Sequence, residues 1–179
     1  ISVSLYEMPE NAKQREAEAL IARLNSCSEI HGILIFKPLP PGMDEKGLQS
    51  ILSPEKDIDG ITDAASASLY SGDGRDAIPC TARACIEMLR HYNIGISGKN
   101  AVVIGRSPVI GKPVSLLLLK ENATVTICHS KTESLSQICR GAAILIACSG
   151  RAEMITKEFM NEKQTIIDVG INFDMDGNI

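Results

Sequence analysis

Apolar and polar positions along the 179-residue chain follow two spacings, one of two residues and one of three to four. The first spacing is typical of strands and the second of amphipathic helices. In the first half of the chain the pattern predicts two strands and two helices, the second helix beginning after a capping aspartate. The predicted strands cover residues 2–8 and 32–36, and the predicted helices cover residues 11–25 and Asp44 to Leu52.

Between and after these elements, proline and small polar residues predict irregular chain. The prolines of KPLPPG at 37–42 exclude regular structure, and PEKDIDGIT at 54–62 carries four charges without periodicity. Residues 62–77 are mostly small and polar, which favours a loop or a junction between domains. A helix follows over 79–94, with Thr81 as its predicted cap.

The second half predicts a regular succession of strands and helices. Its strands are continuous apolar runs, as expected for a parallel sheet that is covered by helices on both faces. The pattern therefore predicts a doubly wound α/β fold. The predicted strands are 101–104, 124–128, 143–147 and 165–169, and the predicted helices are 113–120, 134–140 and 156–160.

Composition limits the class of protein. With 44% hydrophobic and 22% charged residues the chain is an ordinary globular one, and its net charge of −4 gives no reason to expect a nucleic-acid partner. No apolar stretch approaches the roughly 20 residues that span a bilayer. The six cysteines form no CxxC pair, which favours reduced, cytoplasmic thiols over disulfides or a metal site. We expect both ends of the sequence to belong to a longer protein.

The segment GRSPVIG, which follows the predicted strand 101–104, is a candidate phosphate-binding loop. It begins at Gly105, reaches its second glycine at Gly111, and leads to Pro113, which suits a first helical turn. A helix that starts at the end of a strand directs backbone N–H groups at an anion. The dinucleotide pattern GxGxxG is not matched, because Ser107 stands where its second glycine would be. On this pattern alone, a plain strand-to-helix turn remains an alternative.

The end of the next predicted strand favours a particular cofactor. Dinucleotide folds that bind NAD usually place a carboxylate there to hold the ribose 2′-hydroxyl, but this strand ends in His129, Ser130 and Lys131. Cations and a hydroxyl attract a 2′-phosphate, which a carboxylate would repel. Together with Arg106 in the first loop, they predict NADP as the cofactor. The alternatives are a solvated loop and, for Arg106, a surface ion pair.

Several motifs then resemble one known family. VVIGRSPVIGKP and TVTICHSKT, with GILIFKPLP, PEKDIDG, PCTARA and IIDVGIN, are similar to motifs of the methylenetetrahydrofolate dehydrogenase/cyclohydrolase family of folate one-carbon enzymes. They occur in the family's order and cover nearly the whole chain. The resemblance implies two α/β domains with a folate cleft between them, here 1–77 for the catalytic domain and 78–179 for an NADP-binding Rossmann-like domain. It also implies a homodimer.

The resemblance assigns roles to individual residues. It implies that Asp59 is the catalytic-domain carboxylate that holds the pterin ring, whereas composition alone favours a turn residue before Gly60. It places Arg106 and Ser130 at the 2′-phosphate and the Ile171 backbone against the cofactor. The implied cofactor-binding residues are Gly105, Arg106, Ser107, Gly111, His129, Ser130 and Ile171, and the implied substrate-binding residues are Pro38, Leu39, Pro40 and Asp59.

The chain departs from the family pattern at several positions. Phe36, followed by Lys37, stands where the family has the glutamine that assists the cyclohydrolase step, and phenylalanine offers no such hydrogen bond. Ala82 replaces the last proline of PCTP, and Ala65 replaces an asparagine. The tyrosine and lysine of the family's YxxxK helix would precede Ile1.

These features predict an NADP-dependent methylenetetrahydrofolate dehydrogenase whose cyclohydrolase activity is weakened. Hydride transfer depends mainly on positioning, whereas hydrolysis of the methenyl group needs proton transfer. Two alternatives stay open: a non-catalytic paralogue that binds a dinucleotide or folate, and another two-domain NADP oxidoreductase such as a shikimate-dehydrogenase-like enzyme. DMDG, at residues 174–177, is interpreted as a hairpin turn, since it lacks the later ligands of a calcium loop.

Overall fold

The structure, a computed structural model, describes residues 1–72 and 78–171. The interpretation of DMDG as a turn and the domain boundary at residue 77 lie outside these residues. Six α-helices and four β-strands are found in the described part. The helices are α1 Gln14–Ser26, α2 Glu45–Ile51, α3 Asp63–Ser71, α4 Cys80–His91, α5 Gly111–Lys120 and α6 Leu135–Arg140. The strands are β1 Asn100–Ile104, β2 Thr124–Cys128, β3 Ile144–Ala147 and β4 Thr165–Asp168.

The four strands form one parallel sheet in the order β2-β1-β3-β4. Ile104 is in register with both Cys128 on β2 and Ala147 on β3, so the carboxyl ends of these strands meet at one edge. The strand that follows β1 in sequence, β2, lies on one side of β1, and the next strand, β3, lies on its other side. The order of the strands therefore reverses direction at β1, which makes the gap between β1 and β3 a topological switch point. The doubly wound α/β fold predicted from the apolar runs is confirmed.

Helices cover both faces of this sheet, which explains why its inner strands are apolar throughout. Ala101 and Val103 face one layer, which α4 and α5 cover, and Val102 and Ile104 face the other, which α6 covers. This alternation is the ordinary period of two along a strand. The predicted strands and helices of the second half are confirmed, except that 156–160 contains only a single 3₁₀ turn at Lys157–Phe159.

The first part of the chain has its own apolar cluster between α1 and α2. Ala17 and Ile21 of α1 pack with Ile33 and with Leu48 of α2. Asp44 caps α2 as predicted, because its side chain accepts a hydrogen bond from the Lys46 N–H. The predicted helices at the start of the chain are therefore confirmed.

The strand predicted over residues 2–8 is wrong: this stretch has no regular structure and is exposed, without strand pairing among the described residues. Segment 32–36 makes one parallel bridge, Ile33 to Asp57, instead of a full strand. A strand exists only when a neighbour satisfies its N–H and C=O groups, and alternation of side chains does not supply that neighbour. Residues 2–8 have a strand-like pattern, but residues 1–72 and 78–171 supply no partner strand for it.

The loop predicted over residues 62–77 is wrong for Asp63–Ser71, which form α3, and residues 73–77 lie outside the described part of the chain. Thr62 caps this helix by accepting a hydrogen bond from the Ala65 N–H, and Gly72 ends it at φ +76°. The helix packs on α5, which compensates for its small side chains. The predicted cap at Thr81 is wrong as well, because Thr81 lies inside α4, which begins at Cys80 with Pro79 as its N-cap.

Among residues 1–72 and 78–171, no helix combines the length and the apolar character that a membrane crossing requires.

Candidate functional site

The loop after β1 is shaped by two glycines that allow close backbone packing. Gly105 has φ +126°, a conformation that disfavours other residues, and a β-carbon there would lie 2.9 Å from the carbonyl oxygen of Cys148 at the end of β3. A β-carbon on Gly111 would lie 2.3 Å from the Gly105 carbonyl oxygen. The loop therefore folds tightly over the switch point, and side chains that would fill this space are absent.

Ser107 organises the start of α5. Its Oγ accepts hydrogen bonds from the backbone N–H groups of Ile110 and Gly111, at 3.1 Å and 3.3 Å, and its carbonyl accepts one from Lys112. The hydroxyl proton of Ser107 is left to donate outwards. Within residues 1–72 and 78–171, the N–H groups of Arg106 and Ser107 have no acceptor. With the positive end of the ten-residue α5, these donors suit a phosphate.

The turn after β2 holds His129 in a defined orientation. The His129 N–H donates to Thr132 Oγ1 at 2.8 Å, and the Thr132 N–H donates back to the His129 carbonyl at 2.8 Å. His129 Nδ1 accepts from the Lys131 N–H at 3.1 Å, so the neutral ring carries its proton on Nε2. Ser130 lies exposed at the tip of this turn.

Arg106 and Ser130 lie on neighbouring loops of the same sheet edge. The Gly105 N–H donates to the Cys128 carbonyl at 2.8 Å, which continues the β1–β2 pairing up to the residues just before them. Arg106 is exposed and makes no ion pair or hydrogen bond with the described residues. The surface ion pair that was the alternative interpretation of Arg106 is therefore not formed with the described residues. The two loops carry Arg106, Ser130 and Lys131, and the carboxylate nearest to them in sequence is the exposed Glu133, two residues after Lys131.

The ends of β3 and β4 complete this edge; the resemblance singled out the end of β4 through Ile171 but did not single out the end of β3. A β-carbon on Gly170 would lie 2.3 Å from the Ser149 carbonyl oxygen, so these two strand ends touch. Beside them is a cavity of about 120 Å³, lined by Ala147, Ser149, Arg151, Glu153, Met154, Ile155 and Asp168. The feature of the sequence that indicated this contact was the glycine of the DVGIN motif. Ile171 follows it and is 65% exposed, next to the sheet edge.

Cys148 is the side chain that packs beneath the Gly105 turn. Burial chiefly, and to a smaller extent the nearby Cys85 and Asp168, raise the pKa of its thiol to about 12. The thiol is therefore neutral at physiological pH and acts as an apolar group. Among the described residues no group of three or more His, Cys, Asp or Glu side chains could hold a metal ion.

Asp59 lies in a tight loop in the first part of the chain. It is half-buried, and Gly60 after it has φ +66°, as a turn requires. The other aspartate of the DIDG motif, Asp57, is only 3% exposed, and its Oδ2 accepts from the Thr62 N–H at 2.8 Å. The sequence pattern missed this burial, because Asp57 stands in the charged segment PEKDIDG.

The segment with the family's substrate-binding motif presents an aromatic ring to solvent. Phe36 is 70% exposed, and Leu34 on the same side is 46% exposed. Lys37 is ion-paired with Glu45 at the start of α2. Pro38 is exposed, whereas Leu39 packs against the apolar cluster of α1 and α2. The ion pair directs the Lys37 ammonium group towards α2.

The fold and the edge geometry define a dinucleotide-binding α/β protein: a doubly wound parallel sheet with a glycine-formed loop and free N–H donors at its switch point. The family model described as "Tetrahydrofolate dehydrogenase/cyclohydrolase, NAD(P)-binding domain" matches residues 79–179. The model for the catalytic domain of the same family matches residues 1–59. The chain belongs to the tetrahydrofolate dehydrogenase/cyclohydrolase family.

Individual relatives agree with this assignment. The chain is 46% identical to the bifunctional protein FolD of Clostridium kluyveri, over 100% of this chain and 63% of that protein. Among solved structures, a bifunctional FolD from Campylobacter jejuni superposes with a TM-score of 0.92 at 35% identity, over 95% of this chain and 60% of that one. FolD of Trypanosoma brucei, solved with NADP and an inhibitor, gives 0.88 at 34% identity, over 95% and 60%. The chain thus spans about three fifths of the length of these relatives.

Proposed function

We propose that the full-length protein oxidises 5,10-methylenetetrahydrofolate to 5,10-methenyltetrahydrofolate with NADP⁺ as hydride acceptor. The observation that carries this proposal is the sheet edge in a chain of this family: a glycine-formed loop in which Arg106 has no ion-pair partner among the described residues, beside a β2 end that reads His129, Ser130 and Lys131. The names of the relatives, bifunctional FolD proteins, and the NADP complex of the Trypanosoma brucei enzyme support it.

The cofactor side is proposed to work through phosphate contacts. Arg106, Ser130 and His129 are assigned to the 2′-phosphate, where a guanidinium forms charge-assisted hydrogen bonds. The free N–H groups of Arg106 and Ser107 and the hydroxyl of Ser107 are assigned to the diphosphate. Gly105 and Gly111 permit the backbone to approach it, and the backbone of Ile171 is assigned to the nicotinamide end.

The folate side is proposed to lie at the loop of Asp59 and the segment Pro38, Leu39 and Pro40. A half-buried carboxylate can accept hydrogen bonds from the amino and ring N–H groups of a pterin. Because the methenyl cation formed by hydride loss is stabilised by its own two nitrogens, the protein's contribution is mainly to position the bridging carbon. Asp59 is the described residue assigned to that task.

The second chemistry, hydrolysis of the methenyl group, is proposed to be weak. Hydrolysis needs proton transfer by positioned groups, and Phe36 offers no hydrogen bond where the family has a glutamine. Lys37 does not replace it, because its ammonium group is held by Glu45. The proposed activity is therefore chiefly that of a dehydrogenase.

The proposed setting is the cytoplasm, with one-carbon units supplied to purine biosynthesis, and the proposed assembly is a homodimer. Free cysteines in all six positions support a reducing compartment. The family resemblance supports the dimer and the division into a catalytic domain at 1–77 and an NADP-binding domain at 78–179. The net charge of −4 supports the absence of a nucleic-acid partner.

The experiment is to follow NADPH formation by the full-length protein with methylenetetrahydrofolate, and to measure methenyltetrahydrofolate hydrolysis in parallel. We expect NADP-dependent turnover with hydrolysis slower than dehydrogenation. Tight NADP and folate binding in titration calorimetry without turnover would contradict the proposal and favour a non-catalytic paralogue. Hydrolysis that keeps pace with dehydrogenation would contradict the weakened second activity alone.

A further inference from the structure

The loop that carries Asp59 is closed by the side chain of Asp57. Asp57 Oδ2 accepts a hydrogen bond from the Thr62 N–H at 2.8 Å, so the two ends of the six-residue segment DIDGIT are joined. Both end residues are 3% exposed. Asp59 and the buried Gly60 lie inside the closed segment. The position of the Asp59 carboxylate is therefore set by a hydrogen bond that Asp59 does not itself make.

A second contact holds the same loop from outside. The thiol of Cys80, the first residue of α4, donates a hydrogen bond to the Ile58 carbonyl oxygen at 3.4 Å. Ile58 is the residue between the two aspartates, and its side chain covers Gly32, where a β-carbon would be 2.4 Å from Ile58 Cγ2. Since α4 also packs on α5, this thiol connects the loop to the cofactor side of the molecule.

The Asp57 carboxylate is poorly explained by stability alone. Its second oxygen, Oδ1, is buried and has no hydrogen-bond partner in the described part of the chain. A buried polar atom without a partner costs free energy, and a carboxylate costs more than a neutral group. The fold tolerates this cost at the one place where the carboxylate closes the loop.

From these contacts we infer that Asp57 is a positioning residue: it closes the loop around Asp59, and with the Cys80 thiol it holds the Asp59 carboxylate where the pterin binds. Because Asp57 is buried, it acts through Asp59 and not by touching substrate. The inference rests on the proposed function, in which Asp59 holds the pterin.

The experiment measures KM for methylenetetrahydrofolate, KM for NADP⁺, kcat and thermal unfolding in the full-length protein. Asp57→Ala removes the closing acceptor, and we expect the folate KM to rise by about tenfold while the NADP KM changes by less than about twofold. Asp57→Asn keeps an oxygen that can accept from the Thr62 N–H, and its folate KM is expected to stay near that of the unchanged protein. Asp44→Ala is the matched control, since it removes an exposed helix cap far from Asp59 in sequence.

The second contact gives an independent test that does not disturb the buried carboxylate. We expect Cys80→Ala to raise the folate KM by about threefold and Cys80→Ser, which keeps a donor, to restore it. If Asp57→Ala does not fold, the comparison of Cys80→Ala with Cys80→Ser tests the inference instead. An unchanged folate KM in Cys80→Ala would then overturn the inference.

Failure of the inference and failure of the proposed function give different results. An unchanged folate KM in Asp59→Asn removes the pterin role of Asp59, and with it the proposed function of this loop. A raised folate KM in Asp59→Asn, combined with an unchanged one in Asp57→Ala, overturns the positioning role alone. The positioning role is also overturned if the folate KM rises equally in Asp57→Asn and Asp57→Ala. It is overturned as well if Asp57→Ala raises the folate KM and the NADP KM equally.

Discussion

Gly111 and Gly105 are in direct backbone contact across the loop at the switch point, where a β-carbon on Gly111 would be 2.3 Å from the Gly105 carbonyl oxygen. Two non-bonded atoms cannot come this close, and the obstructing oxygen belongs to the backbone, so the backbone itself would have to move. The contact determines how the start of α5 meets the end of β1.

Gly111→Ala is expected to displace this loop. Because the N–H groups that are proposed to bind phosphate would move with it, we expect NADP affinity to fall by about tenfold or more, with a loss of about 1–3 kcal/mol in the free energy of unfolding. Titration calorimetry and urea unfolding measure the two quantities. The matched control is Gly141→Ala, where the new β-carbon has an ordinary contact of 3.5 Å with Ile138. Equal effects of the two substitutions would contradict this account.

Arg106→Ala is expected to change the choice of cofactor. The guanidinium is exposed and has no protein partner among the described residues, so its loss should leave stability nearly unchanged. A charge-assisted hydrogen bond to the 2′-phosphate is worth about 1.5–3 kcal/mol, which corresponds to a rise of about tenfold to one hundredfold in the KM for NADP⁺. The KM for NAD⁺ should change little. Arg83→Ala, on the exposed side of α4, is the control, and a parallel rise in both KM values would be evidence against the 2′-phosphate role.

Phe36→Gln is expected to raise cyclohydrolase activity relative to dehydrogenase activity. A positioned group that assists proton transfer contributes about a hundredfold or more, so a gain of about tenfold in the activity ratio is a modest expectation for a restored glutamine. The measurement compares methenyltetrahydrofolate hydrolysis with NADPH formation in the same preparation. Tyr92→Gln changes an aromatic ring of similar exposure, 68%, on a distant surface. If the ratio does not move in Phe36→Gln alone, residue 36 does not limit hydrolysis.

Lys56→Met is expected to destabilise the first part of the chain. The Lys56 ammonium donates to the carbonyl oxygens of Leu24, Asn25 and Cys27, at 3.0, 2.6 and 2.7 Å, and so caps the carboxyl end of α1. Loss of these bonds should lower the free energy of unfolding by about 2–3 kcal/mol, measured in urea. Lys46→Met, at an exposed lysine, should change it by less than about 0.5 kcal/mol. A similar result for both lysines would show that the cap contributes nothing.

We expect the Cys148 thiol to lower the free energy of unfolding as the pH rises into the alkaline range. Its pKa rises from 9.0 to about 12 in the folded protein, chiefly through burial. Above pH 9 the unfolded chain loses this proton while the folded chain keeps it, so the unfolded state binds fewer protons and the free energy of unfolding decreases until about pH 12. Unfolding in urea across this range should show a smaller decrease for Cys148→Ser than for the unchanged protein. Identical slopes would mean that the thiol is not protected by burial.

The cofactor half of the molecule was largely predictable because its signals are local. Apolar runs predicted all four strands, and the glycines, Arg106 and the β2 end predicted the loops at the sheet edge. The folate half was less predictable: the thiol contact of Cys80, the ion pair of Lys37 with Glu45 and the buried Asp57 all join residues that the sequence pattern treats separately.

The sequence by itself determined the strands and helices of the sheet and the family, since side-chain spacing and motif order are properties of the chain. Tertiary structure alone decided that residues 2–8 form no strand, that residues 63–71 form a helix and that Asp57 rather than Asp59 is buried. Strand pairing and burial depend on neighbours distant in sequence, whose backbone groups and surfaces supply most of the free energy. A pattern of apolar residues can indicate that a segment needs such a neighbour, but only the fold provides one.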